Sequence, residues 1–395
     1  MHHPRGFAAR VWAIWKTLPM SDFASLGLAA PILKALAHED YTVPTPIQAQ
    51  AIPHVMAGRD VLGIAQTGTG KTAAFALPIL NRLLANPKPA PRRGCRVLVL
   101  SPTRELASQI AESFRTYGRQ TGLRTALMYG GVPKLRQVKQ VGSGIDILVA
   151  TPGRLLDHMQ DGAVQLNGVE ILVLDEADHM LDLGFIVPIR KIVQSIPPAR
   201  QTLLFSATMP KEIATLAGQM LRDPVQVAVA PTATASERVE QRVIFVETSR
   251  KRVVLANMLK NASMSRVLVF TRTKHGADRV TQHLEAMGQP AAAIHGDKSQ
   301  PQRERALAAF KAGRIGVLVA TDVAARGIDV EGVTHVVNFD LPNVPEAYVH
   351  RIGRTARAGH AGIAISLCDS SERAHLRGIE KLIRTRLQVD DAAAA

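Results

Sequence analysis

The chain has 395 residues, 46% of them hydrophobic and 21% charged, enough for two compact domains and too apolar for disorder over most of its length. No run reaches about 18 consecutive apolar residues, so a membrane-spanning helix is not expected. Its two cysteines, Cys95 and Cys368, exclude a disulfide framework or a cysteine-rich zinc site and fit a reducing cytoplasm.

The net charge of +15 is shared: residues 1–230 carry 24 basic and 16 acidic side chains, and residues 231–395 carry 24 and 17. Balances of +8 and +7 fit a polyanion touched by both halves, a nucleic acid or an anionic membrane surface, better than a basic tail on a neutral enzyme.

In chain order, residues 1–19 stand apart, with Trp12 and Trp15 beside Arg5, Arg10 and Lys16, and a second start at Met20. They read as a disordered extension or a start assigned upstream. A short basic amphipathic helix is the alternative, and the apolar stretch is too short for a secretory signal. In residues 20–230, apolar runs at 61–64, 97–100, 147–150, 171–174 and 202–205 alternate with helical patterns. Each run ends in a polar or Gly-rich turn. This is the pattern of a doubly wound parallel sheet, whose ligands bind beyond the carboxyl ends of the strands. Residues 231–238 are small and polar and read as a flexible linker. Runs at 243–246, 267–270, 317–320 and 335–338 predict a second sheet in residues 239–387, followed by a helix near 379–386 and a short tail, 388–395. The halves share an architecture but no visible sequence repeat.

Ala65-Gln66-Thr67-Gly68-Thr69-Gly70-Lys71-Thr72 has the form of a phosphate loop between a strand and a helix. Glycines let backbone N–H groups turn inward around phosphate oxygens, a lysine neutralises the β and γ phosphates, and the hydroxyl after it suits Mg²⁺. Ala65 stands where the general pattern has Gly. Asp175-Glu176-Ala177-Asp178 ends an apolar run: Asp175 is placed as the second metal-holding group and Glu176 to orient or deprotonate an attacking water. Together these predict a Mg²⁺-dependent nucleoside triphosphatase without naming its partner.

Asp-Glu-Ala-Asp, Ser206-Ala207-Thr208 and His350-Arg351-Ile352-Gly353-Arg354-Thr355-Ala356-Arg357 resemble the motifs of DEAD-box RNA helicases over roughly residues 23–387. The opening at 23–28 and the short helical end look most like the bacterial RhlE-like subgroup. The resemblance implies two tandem RecA-like domains of the P-loop NTPase class, α/β with parallel sheets. It implies ATP and Mg²⁺ as cofactors, with Thr72 and Asp175 on the metal, partly through water. Gln48 would pair with adenine and Phe23 would stack on it. Ala65, Gln66, Thr67, Gly68, Thr69, Gly70, Lys71 and Thr72, with Gly327 and Asp329 of the second half, would complete the nucleotide site. Lys71, Asp175, Glu176, Arg354 and Arg357 would be catalytic; the last two resemble arginine fingers that reach the γ phosphate when the lobes close, an effect worth about 10³–10⁵ in rate.

RNA contacts are implied at Pro102, Thr103, Arg104, Gly130, Gly131, Thr151, Pro152, Gly153 and Arg154. In the second half they fall at Arg272, Gln300, Arg303, Thr321, Asp322 and Arg326. Hydroxyls, guanidinium groups and glycine amides suit phosphates and sugars, not base edges. Asp178, Ser206, Ala207, Thr208, His350 and Arg351 would couple the lobes. Two residues depart from the family: Asp40 and Ala356 stand where it often or usually has glycine. The expected partner is RNA, together with ribosome-assembly or RNA-decay proteins, in the cytoplasm; no membrane and no stable oligomer is required. An ATP-gated RNA clamp and a DNA-directed helicase are the alternatives.

Overall fold

The computed structural model describes residues 22–66, 68–229, 239–325, 330, 332–356 and 362–390. The extension 1–19, Thr67, the linker, Arg326, Gly327, Asp329 and Arg357 lie outside the described residues. The chain divides into two units, Met1–Ala230 and Pro231–Ala395.

In the first unit, β1 (Val61–Ile64), β2 (Cys95–Leu100), β3 (Thr125–Met128), β4 (Ile145–Ala150), β5 (Ile171–Leu174), β6 (Gln201–Ser206) and β7 (Val225–Ala228) form a sheet. The order is β3-β4-β2-β5-β6-β1-β7, and every pairing is parallel. Parallel neighbours need crossover helices on the sheet faces, which is why the inner strands are apolar on both sides. Alternate residues confirm this. Val97, Val99, Val149 and Val173 pack with the helices Pro46–Met56, Lys71–Ala85 and Arg104–Tyr117. Leu98, Leu100, Leu148 and Leu172 pack with Pro152–Gln160, Ile186–Gln194 and Lys211–Met220 on the opposite face. Each fully buried Val or Leu contributes about 1.5–3 kcal/mol.

In the second unit, β8 (Val239–Phe245), β9 (Val267–Thr271), β10 (Ala291–Ile294), β11 (Val317–Thr321), β12 (His335–Asn338), β13 (Gly362–Cys368) and β14 (Gln388–Asp390) are ordered β10-β11-β9-β12-β13-β8-β14, again all parallel. Strand for strand, this is the first sheet's order with the numbers raised by seven. Three elements of this unit differ from the sequence expectation. The run expected at 243–246 belongs to a strand that begins at Val239. The final helix is Arg373–Ile383, begun after Asp369 and ended by Arg384 in the left-handed region (φ +56°), where no glycine signals the stop. Residues taken as the start of a tail form β14, paired with β8. Among the described residues, no helix is long and apolar enough to cross a membrane, and both cysteines are buried and free.

Candidate functional site

Topology sorts the first unit's motifs before any side chain is considered. The phosphate loop follows β1, Asp175 follows β5 and Ala207 follows β6, and β5-β6-β1 are neighbours in the sheet. Pro102 and Thr103 follow β2, Gly130 and Gly131 follow β3, and Thr151 to Arg154 follow β4, on the neighbouring trio β3-β4-β2. The carboxyl edge therefore has two halves.

On the first half, Gly68 (φ +84°) and Gly70 (φ +93°) hold left-handed turns, and the helix Lys71–Ala85 starts directly after them. A Cβ on Gly70 would lie 2.2 Å from Gln48 Nε2, so both backbone conformation and space demand glycine. Lys71 is buried, and its Nζ donates to Ala65 O at 2.9 Å; Thr69 Oγ1 donates to Gln66 O at 2.7 Å. Thr72 occupies the second position of the helix.

Asp175 is buried, and burial pushes its carboxyl up to about 7 against the pull of Lys71. Glu176 sits at φ +51°, a strained position for a side chain of its size, with Oε2 3.2 Å from His179 Nδ1. Such a carboxyl, beside a glycine turn and a buried lysine, has the donor set that a cation and a polyphosphate would satisfy, so ATP with Mg²⁺ fits the residues present.

Asp178 accepts from Thr208 N (2.9 Å) and Thr208 Oγ1 (2.8 Å) through Oδ2, and its own N–H donates to Ser206 Oγ at 3.2 Å. Ser206 Oγ donates to Thr208 O at 2.8 Å. The acidic motif and the Ser-Ala-Thr turn are thus one bonded joint. Gln48 is buried: its Oε1 accepts from Thr45 N at 2.8 Å, and its Nε2 donates to Gly70 O at 3.0 Å and to the Tyr41 hydroxyl. Phe23 is also buried, its ring centroid 5.1 Å from that of Tyr41. The two residues expected at adenine therefore flank the phosphate loop through Tyr41 and Gly70.

On the second half, Thr103 Oγ1 accepts from Leu106 N at 3.3 Å and caps the helix Arg104–Tyr117. Arg104 lies over the glycine pair: a Cβ on Gly131 (φ +83°) would be 2.2 Å from Arg104 Nη1. Thr151 and Pro152 open the helix Pro152–Gln160, and Gly153 faces open space. Arg154 Nη1 donates to Val132 O (2.9 Å) and Gln137 Oε1 (3.2 Å).

Gln137 was invisible to motif reading. Its Nε2 donates to Tyr129 O at 2.9 Å, and its Oε1 also lies 3.0 Å from His158 Nε2. Arg154 can only donate and Tyr129 O can only accept, so the amide orientation is fixed and His158 donates through Nε2. One neutral side chain thus ties the glycine pair to Arg154.

In the second unit, Arg272 follows β9, Gln300 and Arg303 lie in the first turn of the helix Gln300–Lys311, Thr321 ends β11 and Asp322 opens the short helix Asp322–Ala325. They sit on the equivalent trio β10-β11-β9. Gln300 is buried and its Nε2 donates to Glu304 Oε1 at 3.0 Å.

Asp322, expected at RNA, and Arg351, expected between the lobes, are paired with each other. Arg351, 1% exposed at its side chain, grips both Asp322 oxygens at 2.5 and 2.7 Å. It also donates to Asn338 Oδ1 (3.0 Å) and Asp340 O (2.7 Å) and lies over the Phe270 ring. A buried guanidinium needs its donors filled, and this unit fills them internally. Arg354 is buried with Nε 3.3 Å from His350 O. Ala356 has φ +55° and Asp40 φ +52°. Both departures from the family's glycines therefore fall in the left-handed region.

Comparison with known proteins agrees with this layout. Residues 45–216 match the DEAD/DEAH box helicase model and residues 250–359 the helicase conserved C-terminal domain. DEAD-box ATP-dependent RNA helicase 30 of Arabidopsis thaliana is 47% identical over 94% of this chain and 63% of its own length. The ATP-dependent RNA helicase dbp2 of Sclerotinia sclerotiorum is 43% identical over 95% of this chain and 67% of its own. The chain thus spans about two thirds of the length of these curated relatives. Among solved structures, S. cerevisiae Dbp5 bound to RNA and ADP BeF3 is similar with a TM-score of 0.84 at 31% identity, covering 95% of this chain and 96% of that one. Mss116p bound to ssRNA and AMP-PNP gives 0.83 at 26% identity, covering 93% and 78%. The relatives named are plant and fungal and lend no support to the expected bacterial RhlE-like placement. Matched in both halves, and by relatives 43–47% identical along almost its whole length, the chain belongs to the DEAD-box helicase family.

Proposed function

We propose that this protein is an ATP-dependent RNA helicase that binds RNA along the carboxyl edges of its sheets and uses ATP hydrolysis to release it after local strand separation. The observation that carries this is the divided edge of the first unit. A phosphate loop and buried carboxylates on β5-β6-β1 adjoin glycine amides, hydroxyls and guanidinium groups on β3-β4-β2. The similar Dbp5 and Mss116p structures, with RNA and nucleotide bound together, support the same pairing of ligands.

In this reading Lys71 leaves Ala65 O for the phosphates, and Glu176 takes the proton of the attacking water. Thr72 and Asp175 would hold Mg²⁺, which supplies positive charge to the polyphosphate. Gln48 and Phe23 select adenine; exchange of Gly70 O for the base at Gln48 would signal nucleotide binding to the loop. Arg354 and Arg357 act as fingers once both lobes engage the RNA, so that ATP and RNA favour each other's binding reciprocally. The RhlE-like subgroup rests only on the opening 23–28; the cytoplasmic location and partners in ribosome assembly or RNA decay are proposals of the same rank.

The test is ATP turnover with RNA, with DNA of the same sequence, and with neither. RNA alone should stimulate strongly. Full turnover without nucleic acid defeats the proposal, and equal stimulation by DNA transfers it to the DNA-directed class. Survival of biological function in Glu176→Gln would favour the clamp.

A further inference from the structure

Glu372 belongs to none of the helicase motifs and lies in the 3₁₀ turn Ser370–Glu372 after β13. Its side chain is 1% exposed, yet four donors from four segments meet its two oxygens. Oε1 accepts from Arg272 Nη2 (2.5 Å), beyond β9, and from Leu341 N (3.0 Å), beyond β12. Oε2 accepts from Lys251 Nζ (2.5 Å), in the helix after β8, and from Asp369 N (3.3 Å), beyond β13. A carboxylate has about four lone-pair positions, and here all are used.

Lys251 is itself 1% exposed and adds Phe339 O (3.0 Å) and Asp369 Oδ2 (3.4 Å) as partners. Of the charged side chains that bond Glu372 and Lys251, Asp369 is buried at 8% and Arg272 reaches solvent, 38% exposed, with its backbone N–H tied to Asp340 Oδ2 at 2.8 Å. A long, rotamer-rich arginine is thus fixed at both ends while part of its guanidinium fork stays open.

We propose that Glu372 is a positioning residue, which holds the Arg272 guanidinium at the carboxyl edge of the second unit to receive a phosphate of single-stranded RNA. The inference rests on the RNA reading proposed above. Two accounts of Glu372 predict opposite signs. If it merely offsets positive charge, removing its charge strengthens RNA binding. If it positions Arg272, removing it weakens binding although the protein becomes more positive.

The experiment measures affinity for a short oligouridylate, with a non-hydrolysable ATP analogue, across a salt series. It uses the full chain and its Arg272→Ala, Glu372→Gln, Glu372→Asp and Arg272→Ala/Glu372→Gln variants. Arg272→Ala should weaken binding roughly threefold to tenfold and flatten the salt slope by about 0.7, the value of one phosphate contact on a single strand. Glu372→Gln should reproduce both changes, and the double variant should add nothing further. The RNA concentration for half-maximal ATPase stimulation should rise with the maximal rate retained. Glu372→Asp keeps the charge for Lys251 but shortens the reach to Arg272. It should melt near the parent temperature with the flattened slope, and it carries the test if the Gln variant does not fold. A parental or steeper slope in the folded Glu372 variants, with Arg272→Ala impaired, overturns the positioning role. A parental slope in Arg272→Ala overturns the RNA reading at Arg272 and the inference with it.

Discussion

β1 and β8 hold the same place in their sheets, one strand in from the edge, and the helix after each begins with a lysine. Lys71 rests on a neutral carbonyl, Ala65 O, inside a turn of left-handed glycines. Lys251 is met by Glu372 and Asp369. The two units therefore put the same cation at the same point of the same topology. One keeps an opening for an external anion, and the other has supplied its own. Topology decides where a ligand site can lie; the loops beyond the strands decide whether anything can enter it.

Swapping the question between the two lysines gives the largest expected effects. Lys71→Ala should lower ATP turnover by about 10²–10³, the usual loss when a charge-stabilising donor is removed, with thermal unfolding little changed. Lys251→Met should do the reverse. It strands Glu372 and Asp369 in the interior, a loss of about 3–5 kcal/mol, read from urea unfolding, while any protein that stays folded hydrolyses ATP normally. If Lys71→Ala proves the more destabilising of the two, the contrast between an open site and a filled one is wrong.

A smaller effect sharpens a second contrast, between the ways the two units hold an arginine beyond the sheet, Arg272 at 38% exposure and Arg154 at 11%. The second unit uses buried charge on Arg272; the first uses the neutral Gln137 on Arg154. Gln137→Leu leaves Tyr129 O and His158 without their amide partner and should cost about 1–3 kcal/mol, seen as a lower urea midpoint.

This clamp nevertheless contains one titrating group. Burial, and then the charges of Arg154 and Lys134, hold the His158 imidazole below its ordinary range, against the pull of Asp161 and Asp157. The unfolded chain, titrating near about 6.5, therefore takes up this proton first as the medium is acidified. The contribution of His158 is complete above that value and is lost as the pH falls below it. Urea midpoints on either side of pH ~6.5 should show the loss, and His158→Gln should reduce it. An unchanged pH dependence in that variant would assign the titration to another group.

The sequence made the inner strands plain, because a parallel strand covered on both faces is a continuous apolar run. The strands it missed include all four sheet edges: β3 and β7 in the first unit, β10 and β14 in the second. Val225–Ala228 and Ala291–Ile294 carry too little apolar bulk to stand out, and Gln388–Asp390 is only three residues long. Among inner strands only β13 escaped, its run broken by Gly362, Ala364 and Ser366. The site divides in the same way. The phosphate loop, the Asp175 motif and the Ser206 turn are contiguous, so their chemistry is spelled out locally. Gln137 and Arg154 are 17 residues apart, Asp322 and Arg351 are 29, and Arg272 and Glu372 are 100. Only strand order brings such partners together, and no local spacing encodes it.

Ala356 is the smallest case and lies where motif and backbone disagree. The family usually has glycine here, and the backbone shows why: φ is +55°, where a Cβ crowds the neighbouring carbonyl. The surroundings are also close, since a Cβ on Gly362 would come within 2.7 Å of Ala356 N. Ala356→Gly removes the strain but gives the unfolded chain more freedom, an opposing term of about 0.4–1 kcal/mol. Strain in the left-handed region is about 1–2 kcal/mol, so it should prevail, and the variant should be more stable by up to about 1 kcal/mol. The measurement is urea unfolding of the second unit's signal, alongside ATP turnover, which should change little. A less stable variant would mean that the methyl of Ala356, half-buried against the core around Ile352 and Tyr348, returns more in packing than its backbone loses in strain.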